Sequence, residues 1–168
     1  SRLVVGINPL PFFDERYWPE QNSDIYQNYV RTLADFALWL NERGHSVSFF
    51  PTQLRADPLV IHDIRGLLKS GGHADFEHSL ADRPIGSLDD LISRISMMDV
   101  VVATRYHGVL LAALLHRPVL AIAYYAKIID LMAQIGQSAY VVDIHSLDTH
   151  SLAERFVAIE RRTQTIRR

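Results

Sequence analysis

Met97-Met98-Asp99-Val100-Val101-Val102-Ala103-Thr104-Arg105-Tyr106-His107-Gly108-Val109-Leu110-Leu111-Ala112-Ala113-Leu114-Leu115 sets a permanent cation and a titratable imidazole between two apolar runs. The first run is short and rich in valine, the pattern of a strand buried on both faces. The second is apolar all round, which predicts a helix over 107–115 enclosed by the rest of the fold. Arg105 and His107 then fall at a strand-to-helix turn. There, free N–H groups and the positive end of the helix dipole favour an anion. A guanidinium beside so much apolar surface needs a negative partner, either a ligand or a carboxylate such as Asp99 or Asp130.

Working outward, the same alternation fills the chain. Strands are predicted at 3–8, 46–51, 99–103, 119–123 and 139–143. Between them, Ser23 caps a helix that ends before Gly44, and Asp57-Pro58 opens one reaching Lys69. Ser87 caps a helix over 88–96, Lys127 begins one that ends at Gly136, and Ser151 caps a terminal helix to Thr163. Residues 70–86 are polar and weakly patterned, with room for one edge strand near 75–80. Short β-branched runs alternating with helices predict an α/β fold: a Rossmann-like open parallel sheet with helices on both faces. No repeat or linker divides the pattern, so residues 1–168 read as one domain. Ser1-Arg2 leads straight into the first strand, as in a domain cut from a longer protein.

Composition narrows the functions open to this chain. Hydrophobic residues make up 48% of its 168 residues, enough for a packed core. Against 17 Lys and Arg stand 19 Asp and Glu, so no global basic field recruits nucleic acid. There is no cysteine, which removes disulfides, thiolate metal sites and thiol catalysis. No apolar run reaches the roughly 18 residues that a membrane span requires. His73-Ala74-Asp75-Phe76-Glu77-His78 carries metal-ligand residue types but no convergent spacing, so no metal site is predicted.

In open parallel sheets ligands bind beyond the carboxyl ends of the strands. Two consecutive strand-to-helix turns put Arg105 and His107, then Tyr124, Tyr125 and Lys127, at that edge. Asn8 ends the first strand there, and the aromatic loop 9–22 follows it with Phe12, Phe13, Tyr17 and Trp18.

These residues carry a resemblance. The stretches Leu88-Asp89-Asp90-Leu91-Ile92, Met98 through Gly108, and Arg117-Pro118-Val119-Leu120-Ala121-Ile122-Ala123-Tyr124 are similar to the C-terminal half of polysaccharide pyruvyl transferases. So are Lys127, Leu131-Met132, Gly136 and the opening Val5-Gly6-Ile7-Asn8-Pro9. The resemblance implies the C-terminal domain of a GT-B-like enzyme whose N-terminal domain, with a further arginine, lies outside this sequence. It implies transfer of pyruvate from phosphoenolpyruvate to a glycan or lipid-linked sugar, forming a ketal in exopolysaccharide or cell-wall glycan synthesis. It further implies no cofactor beyond phosphoenolpyruvate as donor substrate, and a cytoplasmic place with peripheral contact at the inner membrane face.

The residue types suit that chemistry. A planar Arg fork and a Lys point charge complement the carboxylate and phosphate of phosphoenolpyruvate. Ketal formation needs the enol carbon protonated and the acceptor hydroxyl deprotonated, work for an imidazole near neutral pH. His107 is therefore assigned acid/base chemistry, Arg105 the anion clamp and Lys127 stabilisation of phosphate or carboxylate. Tyr106, Tyr124, Tyr125 and Asn8 are assigned substrate contacts. Two other readings stand beside this one. One is a GT-B glycosyltransferase using a nucleotide sugar; the other is a non-catalytic Rossmann-like module that binds an anion at Arg105 and Lys127. Under the pyruvyl-transfer reading, the chain alone folds but does not turn over, because half a cleft cannot align two reactants.

Overall fold

A computed structural model describes residues 2–74, 77 and 83–167, with side chains as far as Thr163. Five parallel strands, β1 (Val4–Asn8), β2 (Ser46–Phe49), β3 (Val100–Ala103), β4 (Val119–Ala123) and β5 (Val141–Asp143), pair in the order β2-β1-β3-β4-β5. The chain steps from β1 outward to β2, then returns to the other side of β1 to lay down β3. That reversal opens a crevice between the carboxyl ends of β1 and β3, where doubly wound sheets take their ligands.

Helices α1 (Ser23–Glu42), α2 (Asp57–Ser70), α3 (Leu88–Ser96), α4 (Tyr106–Leu114), α5 (Ala126–Gln134) and α6 (Thr149–Arg167) cover both faces. The alternation within β3 sorts them. Val100 and Val102 pack with α1, α2 and α6, whereas Val101 and Ala103 pack with α3, α4 and α5. The fold is Rossmann-like, as the alternating pattern predicts.

Several local expectations change. α4 is not enclosed: Gly108, Val109 and Ala112 are buried, but Leu114 is 64% exposed. Only one face of α4 meets the sheet, and uniform apolarity cannot tell that face from the outer one. Asn22, not Ser23, caps α1 by accepting from the Ile25 N–H at 3.2 Å. Asp148, not Ser151, caps α6; its carboxylate accepts from the Ser151 N–H at 2.6 Å. The last strand is shorter than expected because residues Ser138–Tyr140 form a 3-10 turn before it. Of the edge strand expected near 75–80, only Glu77 is among the described residues, and it forms an isolated parallel bridge with Val47.

The far end of α6 is fastened to the opposite edge of the sheet by a buried carboxylate. The Leu3 N–H donates to His45 Nδ1 at 3.1 Å, so the other ring nitrogen carries the proton and faces Glu160. Arg43 grips the second carboxylate oxygen while its guanidinium lies 5.1 Å from the Trp39 ring centroid. Burial alone would raise the Glu160 pKa, but the hydrogen bonds from Arg43 and His45 more than offset it and hold it low. A depressed carboxyl stabilises fully above its ordinary pKa, about 4.5, and loses that contribution as pH falls through the folded value. Glu160→Gln is therefore expected to cost roughly 1–3 kcal/mol at neutral pH. It should also flatten the acid limb of the stability curve below about pH 4.5, read by urea unfolding across a pH series. An unchanged acid limb would show that this carboxylate is not linked to folding.

Candidate active site

At the crevice, the β3–α4 turn is held from below and from the side. Thr104, the first residue after β3, lies with its hydroxyl 2.9 Å from that of Tyr29 on α1. The Tyr29 oxygen also accepts the Leu10 N–H at 3.2 Å, which ties the loop after β1 to the same point. Burial pushes the Tyr29 hydroxyl well above its ordinary pKa, so it stays protonated.

Arg105 finds its negative partner in Asp57, at the first turn of α2. Nε and Nη2 of Arg105 both donate to Asp57 Oδ1, at 3.1 and 2.7 Å. The other carboxylate oxygen accepts the N–H groups of Thr52 and Gln53 at 3.1 and 2.9 Å. Asp57 is completely buried, so this pairing reaches over the end of β1 and locks the β2–α2 loop to the β3–α4 turn. The expected carboxylates are elsewhere: Asp99 accepts from the Val4 N–H at 2.8 Å, at the amino edge. Among the described residues, Nη1 of Arg105 has no partner, and its side chain is 22% exposed, so it keeps one donor edge for a ligand.

The ends of α4 and α5 lie side by side because β3 and β4 are neighbours. Arg105 and Tyr125 occupy their N-cap positions, and neither supplies a side-chain cap. In contrast, Asn22 caps α1 and Ser87 caps α3. First-turn N–H groups without caps are open to an external acceptor, and the two helix dipoles add to its attraction. Lys127 Nζ sits 4.3 Å from the centroid of the Tyr106 ring, with the His107 ring edge-on to Tyr106 at 5.7 Å. His107 and Lys127 are both exposed. Tyr106 thus joins the two turns through its contacts with Lys127 and His107, and both of those side chains remain exposed.

An aromatic chain extends this edge. Trp18 meets Tyr124 edge-to-face at 5.7 Å, Tyr124 leans on Tyr125 at 4.3 Å, and Phe12 meets Trp18 at 5.6 Å. Burial, reinforced by Tyr125, pushes the Tyr124 hydroxyl up to about 12, so at neutral pH it donates and does not act as a base. The loop carrying Phe12 and Trp18 is anchored by Arg16, which bridges Asp14 at 2.7 Å to Asp63 of α2 at 2.6 Å.

Asn8 has a different place from the one its position in sequence implies. It is fully buried, and its Nδ2 donates to the Phe50 carbonyl at 3.0 Å. Its Oδ1 is a buried acceptor with no partner among the described residues, lying against the α carbon of Gly108. Asn8 is thus a brace beneath the turn, with no surface to offer a substrate. Asp57 is the residue that sequence reading missed. Its signal was Asp57-Pro58 at a helix start, which marks a boundary and says nothing about an arginine 48 positions later.

A cavity of about 450 Å³ lies at the amino ends of β4 and β5 among His116, Arg117, Tyr140, Ile159 and Arg162. It includes none of the residues assigned to chemistry. No group of three or more His, Asp or Glu side chains suited to a metal occurs among the described residues, nor does any helix there suit a membrane span.

Fold and site together define a Rossmann-like domain that brings Arg105, His107 and Lys127 to its carboxyl edge, beside two helix ends without side-chain caps. The family model for polysaccharide pyruvyl transferase matches residues 12–125, and the chain belongs to that family. The match spans Arg105, His107, Tyr124 and Tyr125; Lys127 falls just beyond it. No curated protein and no solved structure matches this sequence.

Gly108 provides a direct test of how tightly the turn is built. A Cβ at this position would stand 2.2 Å from Asn8 Oδ1 and 3.1 Å from the Ala103 Cβ, and neither neighbour is a free chain end. Gly108→Ala is expected to destabilise by about 1–3 kcal/mol through overpacking. Asn8→Ala should relieve part of that cost, giving a favourable coupling energy in a double-mutant cycle read by chemical denaturation. Strict additivity would mean that the two residues do not touch in solution.

Proposed function

We propose that this chain supplies the donor side of a pyruvyl-transfer site, moving the pyruvyl group of phosphoenolpyruvate onto two hydroxyls of a sugar as a cyclic ketal. The observation that carries this reading is the pair of uncapped helix ends on neighbouring strands, bearing Arg105, His107 and Lys127 within or beside the family match. Phosphoenolpyruvate presents two anionic ends. Helix-end N–H groups and the Lys127 ammonium suit the phosphate, and the remaining donor edge of Arg105 suits the carboxylate.

Because Asp57 already offsets the charge of Arg105, the net attraction for the donor falls mainly on Lys127 and the helix ends. Arg105 then acts through direction, with its guanidinium plane fixed by two hydrogen bonds before the ligand arrives. In the reaction, a proton joins the enol methylene, the acceptor oxygen bonds to the enol carbon, and phosphate departs. The second hydroxyl then closes the ring. His107, exposed beside Tyr106, is assigned the proton transfers. Tyr124, held protonated, is assigned a donor role toward substrate oxygens.

The acceptor is a glycan or lipid-linked sugar, and a second, N-terminal domain of a GT-B-like pair closes the cleft from the other side. The same reading places the reaction in the cytoplasm, at the face of the membrane where a lipid-linked sugar is presented.

Thermal-shift titration with phosphoenolpyruvate, inorganic phosphate and nucleotide sugars separates this reading from its rivals. Phosphoenolpyruvate is expected to raise the melting temperature more than phosphate does, with nucleotide sugars ineffective. Arg105→Lys should weaken that response because a point charge does not replace the fork. In the two-domain enzyme, His107→Ala should lower turnover roughly a hundred- to ten-thousand-fold while leaving the melting temperature unchanged. Preference for a nucleotide sugar would overturn the assignment. Full turnover by His107→Ala would remove the histidine from the chemistry.

A further inference from the structure

A second recess opens at the same sheet edge, on the other side of Tyr29 from the β3–α4 turn. It measures about 290 Å³ and is lined by Phe12, Asp24, Asn28, Tyr29, His145 and Leu147 together with two isoleucines. Its floor is apolar: Phe12, Tyr29, Ile144 and Leu147 are each less than a tenth exposed. Its rim is polar, formed by the exposed side chains of Asp24 and Asn28 from the first turns of α1, and by His145 just after β5. The Phe12 and His145 rings meet at 5.8 Å, and Phe12 meets Tyr29 at 5.9 Å, so the aromatic wall is continuous.

Among the described residues none of these three side chains has a hydrogen-bond partner; Asn28 and His145 are held through their backbone. A helix dipole accounts for a carboxylate at the start of α1. It does not account for an amide one turn further on, or for an imidazole arriving from another strand. An apolar floor with a few convergent polar groups is the make-up of a ligand site.

The charge of this recess is opposite to that of the neighbouring turns. Arg105 and Lys127 favour an anion, whereas Asp24 repels one. The Asp24 carboxylate disfavours an anionic ligand here, and the size of the recess, just below the roughly 300–1,000 Å³ range of such sites, suits a single ring. We infer that the recess between Phe12, Asn28 and His145 is a subsite for one neutral pyranose ring of the acceptor glycan. The apolar face of the ring meets Ile25, the exposed apolar residue of the lining, above the floor of Phe12 and Leu147, and its hydroxyls reach the carboxylate of Asp24, the amide of Asn28 and the imidazole of His145. Tyr29 forms the shared wall, with its ring in the recess and its hydroxyl on Thr104 beside Arg105. Donor and acceptor are thus sorted by charge onto the two sides of one buried phenol. This inference rests on the pyruvyl-transfer reading for the identity of its sugar as an acceptor, but not for the binding itself.

The test is a pair of titrations of the isotopically labelled chain, followed by amide chemical shifts. Methyl glucopyranoside, methyl galactopyranoside and methyl mannopyranoside are titrated first, and phosphoenolpyruvate separately. At least one pyranoside is expected to shift the amides of Asp24, Asn28 and His145, whereas phosphoenolpyruvate shifts those of Tyr106, His107 and Lys127. Asp24→Asn and Asn28→Ala change exposed side chains and should weaken the sugar response at least tenfold with the phosphoenolpyruvate response intact. No pyranoside shift at these amides, or a sugar affinity indifferent to both variants, overturns the subsite. A sugar response at the recess with none from phosphoenolpyruvate at α4 and α5 keeps the subsite and overturns the pyruvyl-transfer reading.

Discussion

The buried carboxylate of Asp57 is the contact on which the functional edge depends. A carboxylate removed from water is tolerated only when its lone pairs are satisfied and its charge is met. Here two backbone N–H groups and two N–H groups of one guanidinium meet that need. The consequence is geometric. Segments that leave β2 and β3, which are separated by β1, are held at a fixed distance, and the direction of Arg105 is set before any ligand arrives. Removing either partner would leave an unpaired charge next to the packed core, so the pairing and the fold reinforce each other.

Asn8 and Gly108 complete the arrangement from beneath. The amide at the end of β1 fills the space under α4, and the absence of a side chain at Gly108 lets the helix approach it. This close approach brings the α4 N-terminus down onto the sheet edge. The uncapped N–H groups of α4 and α5 then lie on neighbouring turns, with Lys127 resting over Tyr106. A residue expected to touch substrate thus serves instead to position the β3–α4 turn.

The aromatic residues divide the edge into two environments. Phe12, Trp18, Tyr124 and Tyr125 form a wall along it, and Tyr29 runs from the recess near His145 to the hydroxyl of Thr104. Cations cluster on one side of that phenol and a carboxylate with an amide on the other.

Much of this was legible in the sequence because it depends on local pattern. The valine run of β3, the capping serine of α3 and the proline at the start of α2 each specify an element through steric and hydrogen-bonding preferences of neighbouring residues. The order of Arg105, His107, Tyr124 and Lys127 after two strands likewise placed them at one edge, since parallel strands repeat their direction. What the sequence did not determine were contacts between distant segments. The pairing of Arg105 with Asp57 in place of Asp99 or Asp130, the burial of Asn8, and the outward face of α4 follow from the strand order and from the helix layer on each face. So does the meeting of Asp24, Asn28 and His145 around one recess. Local periodicity states which face of an element is apolar, but only the packed chain decides which partner that face, or a buried charge, will meet.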